Sequence, residues 1–262
     1  MEDSISDILE DKYGKRHLSY SSLKHALGDM AQFDRYMKKE MVFESDALDF
    51  GTMYDMLLFD RDKAYAEYVV MSDTHIKSQL SEKALTSKKP NLTKEYKDAV
   101  KALKDQAEKD GKTIVSQNDW STVNAMIDRL KTCGLVDTYL HGDFQVEFNE
   151  EIDGILVKGF LDCKGLDFIT DSKSTRDVQK FRYSVFDFCY DVQAYIYTTV
   201  FGIDKFYWVA QDKTYPYLPA LIKCTDKTLQ NGKSRFNKAI KRIRSFLTEG
   251  EEPAKDFLQY EI

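Results

Sequence analysis

The sequence predicts an α/β fold, a mixed central sheet flanked by helices and preceded by a helical N-terminal part. Three observations carry this. Residues 155–163 and 168–173 are rich in β-branched and large apolar side chains, and the glycine and charged residues of 164–167 between them suit a turn. Phe144, Val146 and Phe148 alternate with polar residues ahead of Asp153-Gly154, a hairpin signal. Helical periodicity dominates the first third and returns near residues 190–202 and 226–247.

In chain order, Leu23, Leu27, Met30, Phe33 and Met37 predict a helix over residues 19–39, with Ser19, Ser21 and Ser22 as candidate caps. A second helix begins at Ser45 or Asp46 and runs to about Phe59. Gly51 lies inside it at a cost of about 1 kcal/mol against alanine, so it needs a reason. Asp55 is one turn later on the same face, so the glycine either lets a backbone or ligand approach that carboxylate or packs a helix beside an exposed aspartate. Residues 71–111 read as a loop followed by one helix from about Thr93 to Lys109. Ser116-Gln117-Asn118-Asp119 resembles a capping box, opening a helix that Gly134 ends. After the sheet hairpins, a helical segment rich in aromatics leads into a helix from Asp191 to Gly202, two strands (205–211 and 217–224) and a basic C-terminal helix. The expectation is one domain over 1–262, with 1–134 as the helical part and 135–262 as the sheet-containing core.

With 42% hydrophobic and 13% aromatic residues, the 262-residue chain is globular and able to bury a sizeable core. The acidic start without an apolar run argues against a signal peptide, and no stretch reaches the roughly 20 residues of a membrane helix. Cys133, Cys163, Cys189 and Cys224 are widely spaced, which excludes a zinc ribbon or iron–sulfur pattern and fits reduced thiols in a cytoplasm. The net charge of −6 speaks against nucleic acid only until local patches are considered. Residues 226–245 hold seven Lys/Arg against one Asp, with an apolar stripe of Leu229, Phe236, Ile240 and Ile243. Lys238, Lys241 and Arg242 on that helix are candidates for DNA phosphates; the other reading is a solvated face.

The chemistry concentrates around residues 159–173. Side chains alternate along a strand, so Asp171 and Lys173 point one way and Ser172 the other. If the two strands pair antiparallel, Asp162 falls within diagonal reach, and two carboxylates converge with one ammonium. Such an oxygen-rich site suits Mg²⁺ or Mn²⁺, and a lysine beside it can hold or deprotonate an attacking water. Asp-x-Lys alone is also ordinary strand alternation. Glu147 points opposite to its apolar neighbours, toward this site or into solvent. Gln193 and Tyr197, four apart on a helix, share a face; as a buried polar pair they are a packing feature, and beside a metal site they can hold a phosphate or position the lysine.

Asp162, then Asp171-Ser172-Lys173, then Gln193-x-x-x-Tyr197 resembles the PD-(D/E)XK (restriction-endonuclease-like) nuclease superfamily, in its RecB-like branch with the QxxxY motif. Residues 18–24 and Phe50-Gly51-Thr52-Met53-Tyr54-Asp55 are similar to the exonuclease VIII (RecE-type) phage recombination exonucleases. The resemblance implies metal held by Asp162, Asp171 and the Ser172 carbonyl, with Asp55 and Glu147 as further ligands. It implies water activation by Lys173 and phosphate handling by Gln193 and Tyr197. The activity implied is Mg²⁺-dependent 5′→3′ digestion of linear duplex DNA in recombination, in a ring-shaped homo-oligomer with a single-strand annealing partner. An endonuclease on the same scaffold, or a silent DNA-binding or assembly protein, is the alternative. One departure matters: Asp55 stands where the family usually has histidine, in Gly-Thr-x-x-His.

Overall fold

The structure, a computed structural model, describes residues 4–41 and 46–249. The N-terminal part opens with α1 (Ile5–Tyr13), stopped by Gly14 at φ 64°. The helix expected over 19–39 is two helices, α2 (Tyr20–Gly28) and α3 (Met30–Met37). Asp29 makes the break: its backbone is extended, with φ −148°, and its carboxylate accepts the Ala31 N–H. A short polar side chain that satisfies an orphan donor here competes successfully with helix continuation. The apolar stripe survives the break, since Leu23, Met30, Phe33 and Met37 are all buried. Ser19 caps α2 in a reciprocal box with Ser22. α4 (Asp46–Phe59) ends where expected, while Ser45 lies outside the described residues.

After α5 (Arg61–Glu67), the chain departs from the expected loop and single helix. β1 (Tyr68–Met71) and β2 (Thr113–Ser116) pair in parallel as a separate two-stranded sheet. Between them lie α6 (Asp73–Lys77), α7 (Glu82–Leu85) and the expected helix, α8 (Lys94–Lys109), capped by Thr93. α9 (Gln117–Thr132) starts on the expected cap, with the Asp119 N–H donating to Ser116 Oγ at 3.0 Å. α10 (Leu135–Tyr139) follows Gly134.

The main sheet begins with β3 (Asp143–Ile152), β4 (Ile155–Lys164) and β5 (Ile169–Thr175), all close to the expected strands. Asp153 and Gly154 take φ 49° and 80°, as a tight hairpin turn requires, and set Ile152 opposite Ile155. α11 (Phe181–Asp187) and α12 (Tyr190–Phe201) then cross over to β6 (Phe206–Asp212), which pairs parallel to β5. Parallel neighbours need such a long connection, and this one lays α12 beside β5. β7 (Pro219–Lys223) closes the sheet, in the order β3-β4-β5-β6-β7, and α13 (Asp226–Glu249) completes the described fold.

Helices cover the sheet in two cores. Leu9, Leu23 and Phe33 pack with Val157 and Trp208 of the sheet, Ile196 of α12 and Phe236 of α13. Met53, Tyr54 and Leu57 of α4 pack with Met126 and Leu130 of α9 against Cys163 and Val209. Each such buried side chain contributes roughly 1.5–3 kcal/mol. α13 crosses α12 at backbone contact: a Cβ on Gly232 would stand 2.1 Å from the Asp191 carbonyl oxygen. That approach brings Arg235 to the buried Asp191 at 2.8 Å. Among the described residues no helix is long and apolar enough to cross a membrane.

Candidate active site

β4 and β5 pair only at Cys163↔Thr170 and Lys164↔Ile169, and then diverge. Beyond the last pair the Asp162 carboxylate replaces the ladder, accepting the Ser172 N–H at 2.9 Å. This fixes Asp162 at the mouth of the gap. Asp171, only 1% exposed, receives Gln193 Nε2 at 3.0 Å on one oxygen and faces Lys173 Nζ at 2.6 Å on the other. The same ammonium donates to the Ser172 carbonyl at 3.2 Å and stands 4.0 Å from Asp162. Three oxygens from two diverging strands therefore converge on one cation, the side-chain nitrogen of Lys173.

Charge is unbalanced around that point. Burial pushes the Asp171 carboxyl up, to about 7, with Lys173 pulling down and Asp162 adding to the rise. The half-buried Asp55, reaching in from α4, is pushed well above the usual carboxylate range by burial and then by Asp162. Burial favours a neutral Lys173, but Asp171 and Asp162 overcome it and hold the amine protonated, well above its ordinary range. Three carboxyls thus share one ammonium, a shortage of positive charge that hard divalent cations remedy. Oxygen donors suit Mg²⁺ or Mn²⁺, and Asp171 Oδ2 has no hydrogen bond beyond its ion pair, so the residues fit such an ion. Among the described residues no group of three or more His, Cys, Asp or Glu side chains is close enough to hold a metal. The convergence is thus of two carboxylates, Asp162 and Asp171, with the Ser172 carbonyl, and neither Asp55 nor Glu147 is grouped with them.

Gln193 and Tyr197 are buried on α12, with Gln193 Nε2 at 3.2 Å from the Tyr197 hydroxyl. That hydroxyl donates to the Phe160 carbonyl at 2.8 Å, tying α12 to β4 as Gln193 ties it to β5. The pair braces the two diverging strands and leaves Gln193 Oε1, buried, without a partner.

The remaining candidates are dispersed. Glu147 lies opposite Phe160, is exposed and makes no side-chain hydrogen bond or ion pair among the described residues. The place expected of Glu147 is taken by Gln145, whose Nε2 stands 3.4 Å from Asp162 Oδ1. A Cβ on Gly51 would meet nothing within 4 Å among the described residues, so no close packing contact there requires glycine. Lys238 and Lys241 are exposed on α13 without ion pairs among the described residues, whereas Arg242 donates to the Leu27 carbonyl at 3.0 Å, joining α13 to α2. Sequence reasoning missed Tyr20 and Tyr190. Lys173 Nζ lies 5.4 Å over the Tyr190 ring, and burial raises both phenols. Tyr190 is three residues before Gln193, so helical spacing alone marks it as facing the site.

Comparison with known proteins bears on the family and the fold. The family model for a PDDEXK-like domain of unknown function (DUF3799) matches residues 19–257. A crystal structure of a candidate exonuclease from Eubacterium rectale shares the fold, with a TM-score of 0.62. The match covers 100% of this chain and 95% of that one at 15% identity, a likeness of fold. No curated protein matches the sequence.

Proposed function

Because this chain belongs to the family of PDDEXK-like domains, we propose that it is a metal-dependent exonuclease acting on the ends of linear duplex DNA. The observation that carries the reading is the convergence of Asp162, Asp171 and the Ser172 carbonyl on a single cation. In this proposal those three oxygens would hold Mg²⁺ or Mn²⁺, which would supply neutralisation of phosphoryl charge and a lowered pKa for the attacking water. Lys173, released from Asp171, turns its ammonium toward the attacking water or the phosphate. Asp162 keeps its hold on the Ser172 N–H and so keeps the two strands at a fixed separation. Gln193 holds the second Asp171 oxygen, and Tyr197 holds the Phe160 carbonyl. Asp55 supplies a further carboxylate from α4 in place of the histidine of related nucleases. Ring assembly, with Lys238 and Lys241 near the duplex backbone, 5′→3′ polarity and a recombination partner belong to the same proposal.

The test is digestion of end-labelled linear duplex beside covalently closed circular DNA, with Mg²⁺, Mn²⁺ or EDTA. The expected result is metal-dependent loss of the linear substrate alone, abolished in Asp171→Ala. Cutting of the circle would make the protein an endonuclease, and inactivity on every substrate would make it a silent relative.

A further inference from the structure

Beside Lys173 a chain of aromatic rings leads to the surface. Tyr190, under the Lys173 ammonium, stacks on Phe181 at 5.9 Å and 21°, and lies 5.8 Å from Phe188. Phe188 is 47% exposed, and Phe186 and Tyr183 on α11 are 46% and 57% exposed. Three large aromatic side chains stand in solvent within six residues, one of them in ring contact with Tyr190, and such exposed apolar surface beside a candidate active site calls for an occupant. Its cations sit on rings: Lys24 Nζ lies 5.2 Å over Phe188, and the Arg182 guanidinium lies 4.9 Å over Tyr183. Neither is in an ion pair among the described residues, and Asp187 is the exposed carboxylate on the same stretch.

The cluster is built on a pinned backbone. Arg235, anchored on the buried Asp191, donates to the Phe186 carbonyl at 3.0 Å, and the Tyr20 hydroxyl donates to the Phe188 carbonyl. Cys189 follows at φ 62°, a left-handed turn that sends Tyr190 inward and leaves Phe188 outside. A surface whose backbone is already ordered loses less entropy on binding.

We propose that Tyr183, Phe186 and Phe188 form a base-stacking platform for the unpaired end of a single DNA strand. It deepens the nuclease reading, on which it rests, by making a duplex end with a frayed or unpaired terminal strand the preferred substrate. Bases inside a duplex are already stacked and offer no free face, whereas an unpaired base stacks on a ring regardless of sequence. Lys24 and Arg182 give the platform the charge that a phosphate backbone complements. Phe188, through its contact with Tyr190, sets one edge of the platform beside Lys173.

The test measures binding in EDTA, so that cleavage plays no part. Fluorescence anisotropy compares a labelled single-stranded thymidine oligonucleotide with an abasic strand of the same length and with a blunt duplex. The wild type should prefer the thymidine strand over both. Phe186→Ala/Phe188→Ala should weaken thymidine-strand binding by about tenfold or more and leave the abasic strand unchanged, while Phe188→Tyr keeps the affinity. Both rings are exposed, and a matching thermal melt will show that the double variant is folded. Equal wild-type affinity for thymidine and abasic strands, or an unaltered double variant, overturns the proposal. So does a double variant that changes only its sedimentation, which would make this face a contact between copies of the chain. Binding through bases by a protein that cleaves nothing would uphold the platform while rejecting the nuclease reading.

Discussion

Replacing Lys173 with methionine removes the ammonium on which Asp171, Asp162 and the Ser172 carbonyl converge while keeping the length of the side chain. Breaking a buried ion pair by deleting one partner costs about 3–5 kcal/mol, because the other charge is left uncompensated. Two features reduce that figure here. The Lys173 side chain keeps 22% exposure, and Asp171, already raised to about 7, can take up a proton instead of remaining charged. A loss of about 2–3 kcal/mol in metal-free buffer is therefore expected, or roughly 5–10 °C in Tm for a chain of this size. The converse holds with metal. In the variant no ammonium competes for the three oxygens, so Mn²⁺ should bind more tightly and restore the melting temperature. At a hundred times Kd the gain is about 2.7 kcal/mol. The assay is calorimetric melting of both proteins in EDTA and across a Mn²⁺ titration. Equal stability in EDTA together with identical metal responses would refute the reasoning, since Lys173 would not be the resident counter-charge. Turnover in the variant should fall by about 10²-fold or more even at saturating metal.

Three further outcomes are expected. The raised Asp171 carboxyl makes the metal-free folded state bind a proton that the unfolded chain releases near 3.8, so stability should fall as pH rises from there to about 7; Asp171→Asn should flatten that part of the pH–melting profile, and an unchanged slope would count against it. Asp55→Ala should raise the metal concentration needed for activity and Asp55→His should restore function with a shift toward Mn²⁺, as a metal titration of hydrolysis will show. Gly232→Ala places a Cβ 2.1 Å from the Asp191 carbonyl oxygen, so it should push α13 from α12 and lower stability by about 1–3 kcal/mol in denaturant unfolding.

The hairpin that carries the candidate site was legible because each of its signals is local. β-branched runs mark β4 and β5, and alternation puts Asp171 and Lys173 on one face. Helical spacing likewise put Gln193 and Tyr197 on one face, and in the structure Gln193 on that face reaches Asp171. The Gln145 contact was also within reach of counting. The Asp153-Gly154 turn sets Ile152 opposite Ile155, and continuing that register by seven residues brings Gln145 opposite Asp162, with Glu147 two residues away at Phe160. Alternation alone could not choose between them, since both share a face. β1 and β2 left no such trace: four residues each, they pair across a long helical insertion, and nothing local specifies a partner so distant. The split at Asp29 was hidden because the apolar stripe runs through it unbroken. Nor does spacing reveal that Lys173 folds back onto the oxygens beside it, which follows from the divergence of β4 from β5.

The central claim is that these oxygens form a divalent-cation site which the lysine holds in the absence of metal. Anomalous diffraction from crystals soaked in Mn²⁺ tests it most directly. The account predicts a peak bonded to Asp162, Asp171 and the Ser172 carbonyl, at about 2.0–2.3 Å from each, with Lys173 Nζ moved off Asp171 toward the open side. Lys173 still paired with Asp171, and no manganese at the three oxygens, would contradict it.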